Sequence, residues 1–197
     1  MANHKYYIVY KPFGMLSQFT TEAPGQITLR NLKHVFETDI YPVGRLDKDS
    51  EGILLLTNDK TINDRLLNPK NKHKRTYLVQ VDGAVEQNKL ALFEKEMEIS
   101  IDGKMYKTLP AKAKIIAEPN LPPRQPPIRV RLNIPTTWIS IELIEGKNHQ
   151  VRKMTAKIGY PTLRLVRKSI EKLDLGELMP GETQEIPKEL LLNLLKL

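Results

Sequence analysis

Four consecutive apolar residues, Ile53 to Leu56, follow a glycine and a charged run in the stretch GRLDKDSEGILLLTND, Gly44 to Asp59. A run this apolar is unsuited to a surface loop, and Gly52 in front of it suits a tight entry into a strand. A strand fixes its neighbours, so Asp47 is expected at the lip of a packed sheet, positioned rather than merely solvated. A carboxylate held in that way can do chemistry.

The composition narrows what that chemistry acts on. A chain of 197 residues with 40% hydrophobic content can bury a real core, as one sizeable domain or two small lobes. Its net charge of +8 is spread along the chain, which points to an anionic partner, with nucleic acid first in line. There is no cysteine, so disulfides, thiol nucleophiles and cysteine metal sites are excluded. The N-terminus reaches Lys11 and Pro12 too soon for a signal peptide, and no stretch approaches the roughly 18 apolar residues of a membrane span. The expected location is the cytoplasm.

Along the chain, Tyr6 to Tyr10 reads as a strand ended by the Pro12 and Gly14 turn, and Thr28 to Phe36 has helical spacing. A short helix is expected near Thr61 to Leu67, a strand over Tyr77 to Val81 ending at Gly83, and a helix over Val85 to Met97. Ile99 to Ile116 reads as a hairpin around Asp102 and Gly103, and Ile128 to Ile134 and Trp138 to Ile144 alternate as strands. Asn148 to Ile158 reads as a helix with Asn148 as N-cap and Gly159 past its end. Leu163 to Ile170 returns as a strand, and Pro187 opens a leucine-rich helix expected to pack on its own core. Strands broken by separate helices, without regular βαβ alternation, argue for an α+β domain on antiparallel sheet. The segment Glu118 to Pro127, EPNLPPRQPP, is a stiff polyproline-like loop. With Arg124, Arg129 and Arg131 in or beside it, it reads as a phosphate-contacting loop, with a PxxP ligand as the alternative.

The acidic motif admits several chemistries. Asp47, Asp49, Glu51 and Gly52 copy the opening of an EF-hand loop, but the twelfth position is Asn58 where a bidentate glutamate is needed, and Ile53 to Leu56 offer calcium no side-chain oxygen. Carboxylates holding magnesium for a nuclease are a second reading, which the flanking Arg45 and Lys48 weaken as a cation site while favouring phosphate. A single aspartate used as nucleophile, kept ionised by nearby cations, is a third, and a plain turn residue ahead of a strand is a fourth. His4, His34, His73 and His149 lack the spacing of a metal motif, so no metal is expected.

GRLDKDSEGILLLTND closely resembles the catalytic signature of pseudouridine synthases of the RsuA and Rlu type, and the family's other blocks follow in order. KYYIVYKPFGMLSQ, Lys5 to Gln18, resembles its opening strand and turn, and RTYLVQVDG, Arg75 to Gly83, its tyrosine block. EGKNHQVRKM, Glu145 to Met154, is similar to its basic helix block, and GYPTLRLVR, Gly159 to Arg167, completes the set. The resemblance covers nearly the whole chain. It implies a pseudouridine synthase fold, a largely antiparallel mixed sheet in two lobes with flanking helices and a central active-site cleft. It also implies one catalytic domain over residues 1–197, without the S4 RNA-binding domain that many relatives carry at the N-terminus.

The same resemblance assigns roles. Asp47 is implied as the nucleophile that attacks a uridine, at the ribose C1′ or at the base. Arg152 is implied as the cation that keeps it ionised, and Tyr77 as the active-site aromatic that stacks on the extruded base. Arg45 is implied to help hold the target nucleotide out of its stack. Lys147, Asn148, His149, Gln150 and Lys153 in the basic block, with Arg124, are the remaining expected RNA contacts. The implied substrate is a uridine of 23S rRNA or its precursor, handled by a monomer without cofactor. A metal-dependent nuclease and a non-catalytic rRNA-binding assembly factor are the competing readings.

Overall fold

Ile53, Leu54, Leu55 and Leu56 are all fully buried. Successive side chains of a strand point to opposite faces, so an uninterrupted apolar run requires cover on both. The computed structural model describes residues 4–128 and 134–197 and provides that cover. In chain order its elements are β1 (Tyr6–Lys11), β2 (Tyr41–Pro42), β3 (Glu51–Thr57), α1 (Lys60–Leu67), β4 (Arg75–Asp82), α2 (Gln87–Leu90), β5 (Glu98–Ile101), β6 (Lys104–Lys107), β7 (Lys112–Ile116), β8 (Thr136–Leu143), α3 (Gln150–Lys157), β9 (Thr162–Ile170), β10 (Leu173–Asp174), β11 (Thr183–Glu185) and α4 (Lys188–Leu195). The class is α+β, as the alternation pattern predicted.

The chain divides into two compact units, residues 1–73 with 167–197, and residues 74–166. In the first, β1 lies antiparallel between β3 and β11, and β2 adds to the far edge of β3. One face of this sheet packs Tyr7, Val9, Leu54 and Leu56 against Met15, Leu29, Leu32 and Ile40, with Phe19 and Phe36 at its margin. Gly52 lies inside β3 at φ 109°, and a Cβ built there would stand 2.3 Å from the carbonyl oxygen of Arg167. Only glycine lets the two backbones approach this closely. The C-terminal α4 buries Leu191 and Leu195, as expected of a helix that packs on its own core.

In the second unit β8 pairs antiparallel with both β4 and β7, while β5 and β6 form a separate hairpin. The expected hairpin over Ile99 to Ile116 is therefore two structures: its turn at Asp102 and Gly103 is as read, but the last strand joins β8. The Thr28 to Phe36 helix is only a 3-10 turn at Leu29–Asn31, closed by a Thr28 and Asn31 capping box. The Val85 to Met97 helix is likewise cut to α2 and a 3-10 turn. Apolar spacing there reports which side faces the core, and tertiary packing sets how long the helix runs. The strand expected at Ile128 to Ile134, with Arg129 and Arg131, lies largely outside the described residues.

Candidate active site

Asp47 is held through the backbone on both sides. Its own carbonyl accepts from the Ser50 amide at 3.0 Å, closing a tight turn four residues ahead of β3. On the upstream side, the buried Ser17 hydroxyl accepts from the Leu46 amide at 3.0 Å and donates to the Leu46 carbonyl at 2.8 Å. Downstream, the Gly14 amide donates to the Lys48 carbonyl at 2.8 Å. Asp47 itself is half-buried, whereas Arg45 and Lys48 are exposed. The Arg45 guanidinium donates to Gln18 Oε1 at 3.2 Å, which holds it beside the same turn.

Beneath that turn lies a buried lysine. Lys11 closes β1 with no exposed surface, and its Nζ donates to the carbonyls of Met15 at 2.8 Å and Pro12 at 3.0 Å. Burial pulls its pKa down to about 7, opposed by the negative field of Glu51, Asp49 and Asp47. The acidic cluster thus has a buried lysine in its field, supplied by the first strand and absent from the motif.

The second unit holds Tyr77 and the basic block. Tyr77 is buried on β4 opposite Ile141 of β8. Arg152 lies half-buried in the first turn of α3, whose inner face is Val151, Met154 and Ile158, as its spacing predicted. The helix starts differently from expectation: His149, in the left-handed region at φ 52°, is the N-cap, and its side chain makes no capping bond. Asn148 instead donates to Asp102 Oδ1 at 2.9 Å, tying the helix start to the hairpin turn.

Two expected RNA contacts are given other tasks. Gln150 is 3% exposed; its carbonyl oxygen accepts from the Lys147 amide at 3.0 Å, and its amide donates to Glu145 Oε1. A side chain spent in this way caps the helix start and has little to offer a phosphate. Arg124 donates to the carbonyls of Pro126 at 2.9 Å and Pro127 at 3.3 Å, and so braces the proline-rich loop in which it sits. Arg164 adds a bond to the Pro122 carbonyl at 2.9 Å.

Glu145 organises this side. Buried at 8% exposure, it accepts from the Tyr106 hydroxyl at 2.6 Å, the Leu109 amide at 2.8 Å and the Gln150 amide. The hydrogen bond to this carboxylate, with burial, pushes the Tyr106 phenol up to about 12. Lys147 lies 5.0 Å from the centre of the same ring.

Known proteins decide the family to which these elements belong. The family model described as RNA pseudouridylate synthase matches residues 5–157. The chain belongs to that family. Over 186 residues it is 48% identical to a ribosomal large subunit pseudouridine synthase E of Vibrio parahaemolyticus, covering 94% of this chain and 75% of that one. It is 41% identical to a protein of the same name from Xanthomonas campestris, covering 89% of this chain and 91% of that one. Among solved structures, a pseudouridylate synthase crystal structure superimposes with a TM-score of 0.76 at 26% identity, over 98% of this chain and 75% of that one. The chain is therefore a pseudouridylate synthase, an isomerase.

Three residues of this synthase escaped the sequence reading: Lys11, Ser17 and Glu145. Each lay within a block that matched the family, yet none has a type that announces a role. Lys11 carried the clearest signal, a lysine closing the strand YYIVYK immediately before a proline.

Proposed function

We propose that this pseudouridylate synthase isomerises a uridine of large-subunit 23S rRNA, or of its precursor, with Asp47 as the nucleophile. The observation that carries the reading is the doubly anchored turn: a carboxylate whose neighbours on both sides are hydrogen-bonded to a second segment is prepared to attack along one direction. The names of the similar proteins from Vibrio and Xanthomonas support the large-subunit substrate.

Asp47 attacks at C1′ or at the base while the N1 to C1′ bond breaks. The freed base turns, C5 bonds to C1′, the bond to Asp47 breaks and returns the electron pair to its carboxylate, the C5 proton leaves and N1 gains one. Atoms and electrons balance without oxidant, water or cofactor. Arg45 and Asp47 come from the first unit, Tyr77 and Arg152 from the second, and we propose that the two units work as one catalytic domain. Arg152 balances the charge of Asp47, and Tyr77 stacks on the base and takes part in removing the C5 proton. Lys147, Asn148, His149 and Lys153 bind phosphate around the start of α3, where the helix dipole also favours an anion. We further propose a monomer working in the cytoplasm; among the described residues no helix is long and apolar enough to cross a membrane.

The test is complementation. In cells lacking the gene, the wild type restores pseudouridine to large-subunit rRNA, and Asp47→Ala restores none, with activity down by about four orders of magnitude or more in vitro. Restoration by Asp47→Ala overturns the nucleophile assignment. Strand cleavage of an rRNA fragment that EDTA abolishes would identify a metal-dependent nuclease instead.

A further inference from the structure

Ser17 lies in a stretch without regular secondary structure, yet it is only 3% exposed. Its hydroxyl takes the amide proton of Leu46 and gives its own proton to the carbonyl of the same residue. Those groups belong to the two peptide planes on either side of the Leu46 α-carbon, and the second plane ends at the nitrogen of Asp47. With each plane rigid, one atom bonded to both fixes φ and ψ of Leu46 together. Serine and threonine provide a donor and an acceptor on one such atom.

The lock has a solid footing. The Gly14 amide secures Lys48 on the other side of Asp47, and Lys11 Nζ binds the Pro12 and Met15 carbonyls. The Leu16 amide donates to the Ile27 carbonyl at 2.8 Å, fixing the chain immediately before Ser17. A segment fixed at Pro12, Gly14, Met15 and Leu16 therefore delivers the hydroxyl to Leu46.

We propose that Ser17 is a positioning residue for the isomerisation, holding Asp47 toward the reacting uridine by locking the backbone of Leu46. This rests on the reading of Asp47 as nucleophile. Ser17 touches no reacting atom; without it the turn remains but Asp47 samples a wider arc, and the attack slows.

The experiment measures kcat and KM on an rRNA fragment containing the modified uridine for wild type, Ser17→Ala, Ser17→Cys, Ser17→Thr and Asp47→Ala, with the unfolding midpoint of each. Ser17→Ala is expected to lower kcat about 100-fold with KM changed by less than about twofold, since a small misplacement of a reacting group acts on the chemical step. Ser17→Thr, which keeps the hydroxyl, is expected to restore kcat to within about threefold of wild type. Ser17→Cys keeps nearly the same volume with a weak donor and reads the same quantity should Ser17→Ala fail to fold. Wild-type kcat in a folded variant without the hydroxyl, or a loss confined to KM, overturns the positioning role. Activity retained by Asp47→Ala overturns the nucleophile reading instead, so the two failures are distinguishable.

Discussion

The turn around Asp47 and the start of α3 around Arg152 are both fixed, but by different means. Asp47 is held through main-chain groups: the amide and carbonyl of Leu46, the carbonyl of Lys48 and its own carbonyl each have a partner. The start of α3 is held by side chains, with the Glu145 carboxylate collecting Tyr106, Leu109 and Gln150, and Gln150 in turn capping Lys147. A main-chain anchor depends on few residue types, since every residue carries the peptide groups that it uses. A carboxylate hub concentrates the same task in one titratable group, so a single substitution undoes several contacts.

That contrast can be broken first where backbones meet. Gly52→Ala puts a methyl group 2.3 Å from the Arg167 carbonyl oxygen at a φ that favours glycine. The loss is expected to be about 3 to 5 kcal/mol, visible as a lower denaturation midpoint. A cost below about 1 kcal/mol would show that the strands around Asp47 yield easily, against the rigid-anchor account.

On the second unit, Glu145→Ala strands three donors at once, the Gln150 amide among them buried, with an expected cost of about 2 to 3 kcal/mol in chemical denaturation. The same variant should let the Tyr106 phenol fall from about 12 toward its ordinary value of 10.0, which ultraviolet titration reads directly. A stable variant with an unchanged phenol would mean that Glu145 is not the hub.

The smallest effect concerns Lys11. Its folded pKa of about 7 lies below the ordinary 10.5, so between those values the unfolded chain binds a proton that the folded one does not. Stability therefore rises with pH across that window and is flat below it. Lys11→Met lacks the effect, and wild type is expected to gain about 2 kcal/mol over it between pH 7 and pH 9, measured by denaturation at both. An unchanged difference would place Lys11 in a wetter site than its burial indicates.

Much of this was legible in the chain. The strand at Ile53 to Leu56, the inner face of α3 and the packing of α4 follow from apolar spacing, which reports burial directly. Helix lengths near Leu29 and Leu90 did not follow, because the same spacing serves one turn or three. Arg124 and Gln150 read as phosphate contacts because charge and polarity are visible in a sequence, whereas the proline carbonyls that Arg124 binds and the Glu145 carboxylate that Gln150 binds are not.

What the sequence by itself determined is the family, through blocks that carry the residues proposed to work: Asp47 with Arg45, Tyr77 in its strand and Arg152 in its basic helix. Only the tertiary structure decided how the first of these is held. Leu46 and Lys48 contribute peptide groups, which every residue carries alike, so their pairing with Ser17 and Gly14 leaves no mark in composition or periodicity. The lysine beneath the acids is likewise a matter of the fold, for Lys11 meets them only because β1 lies against β3.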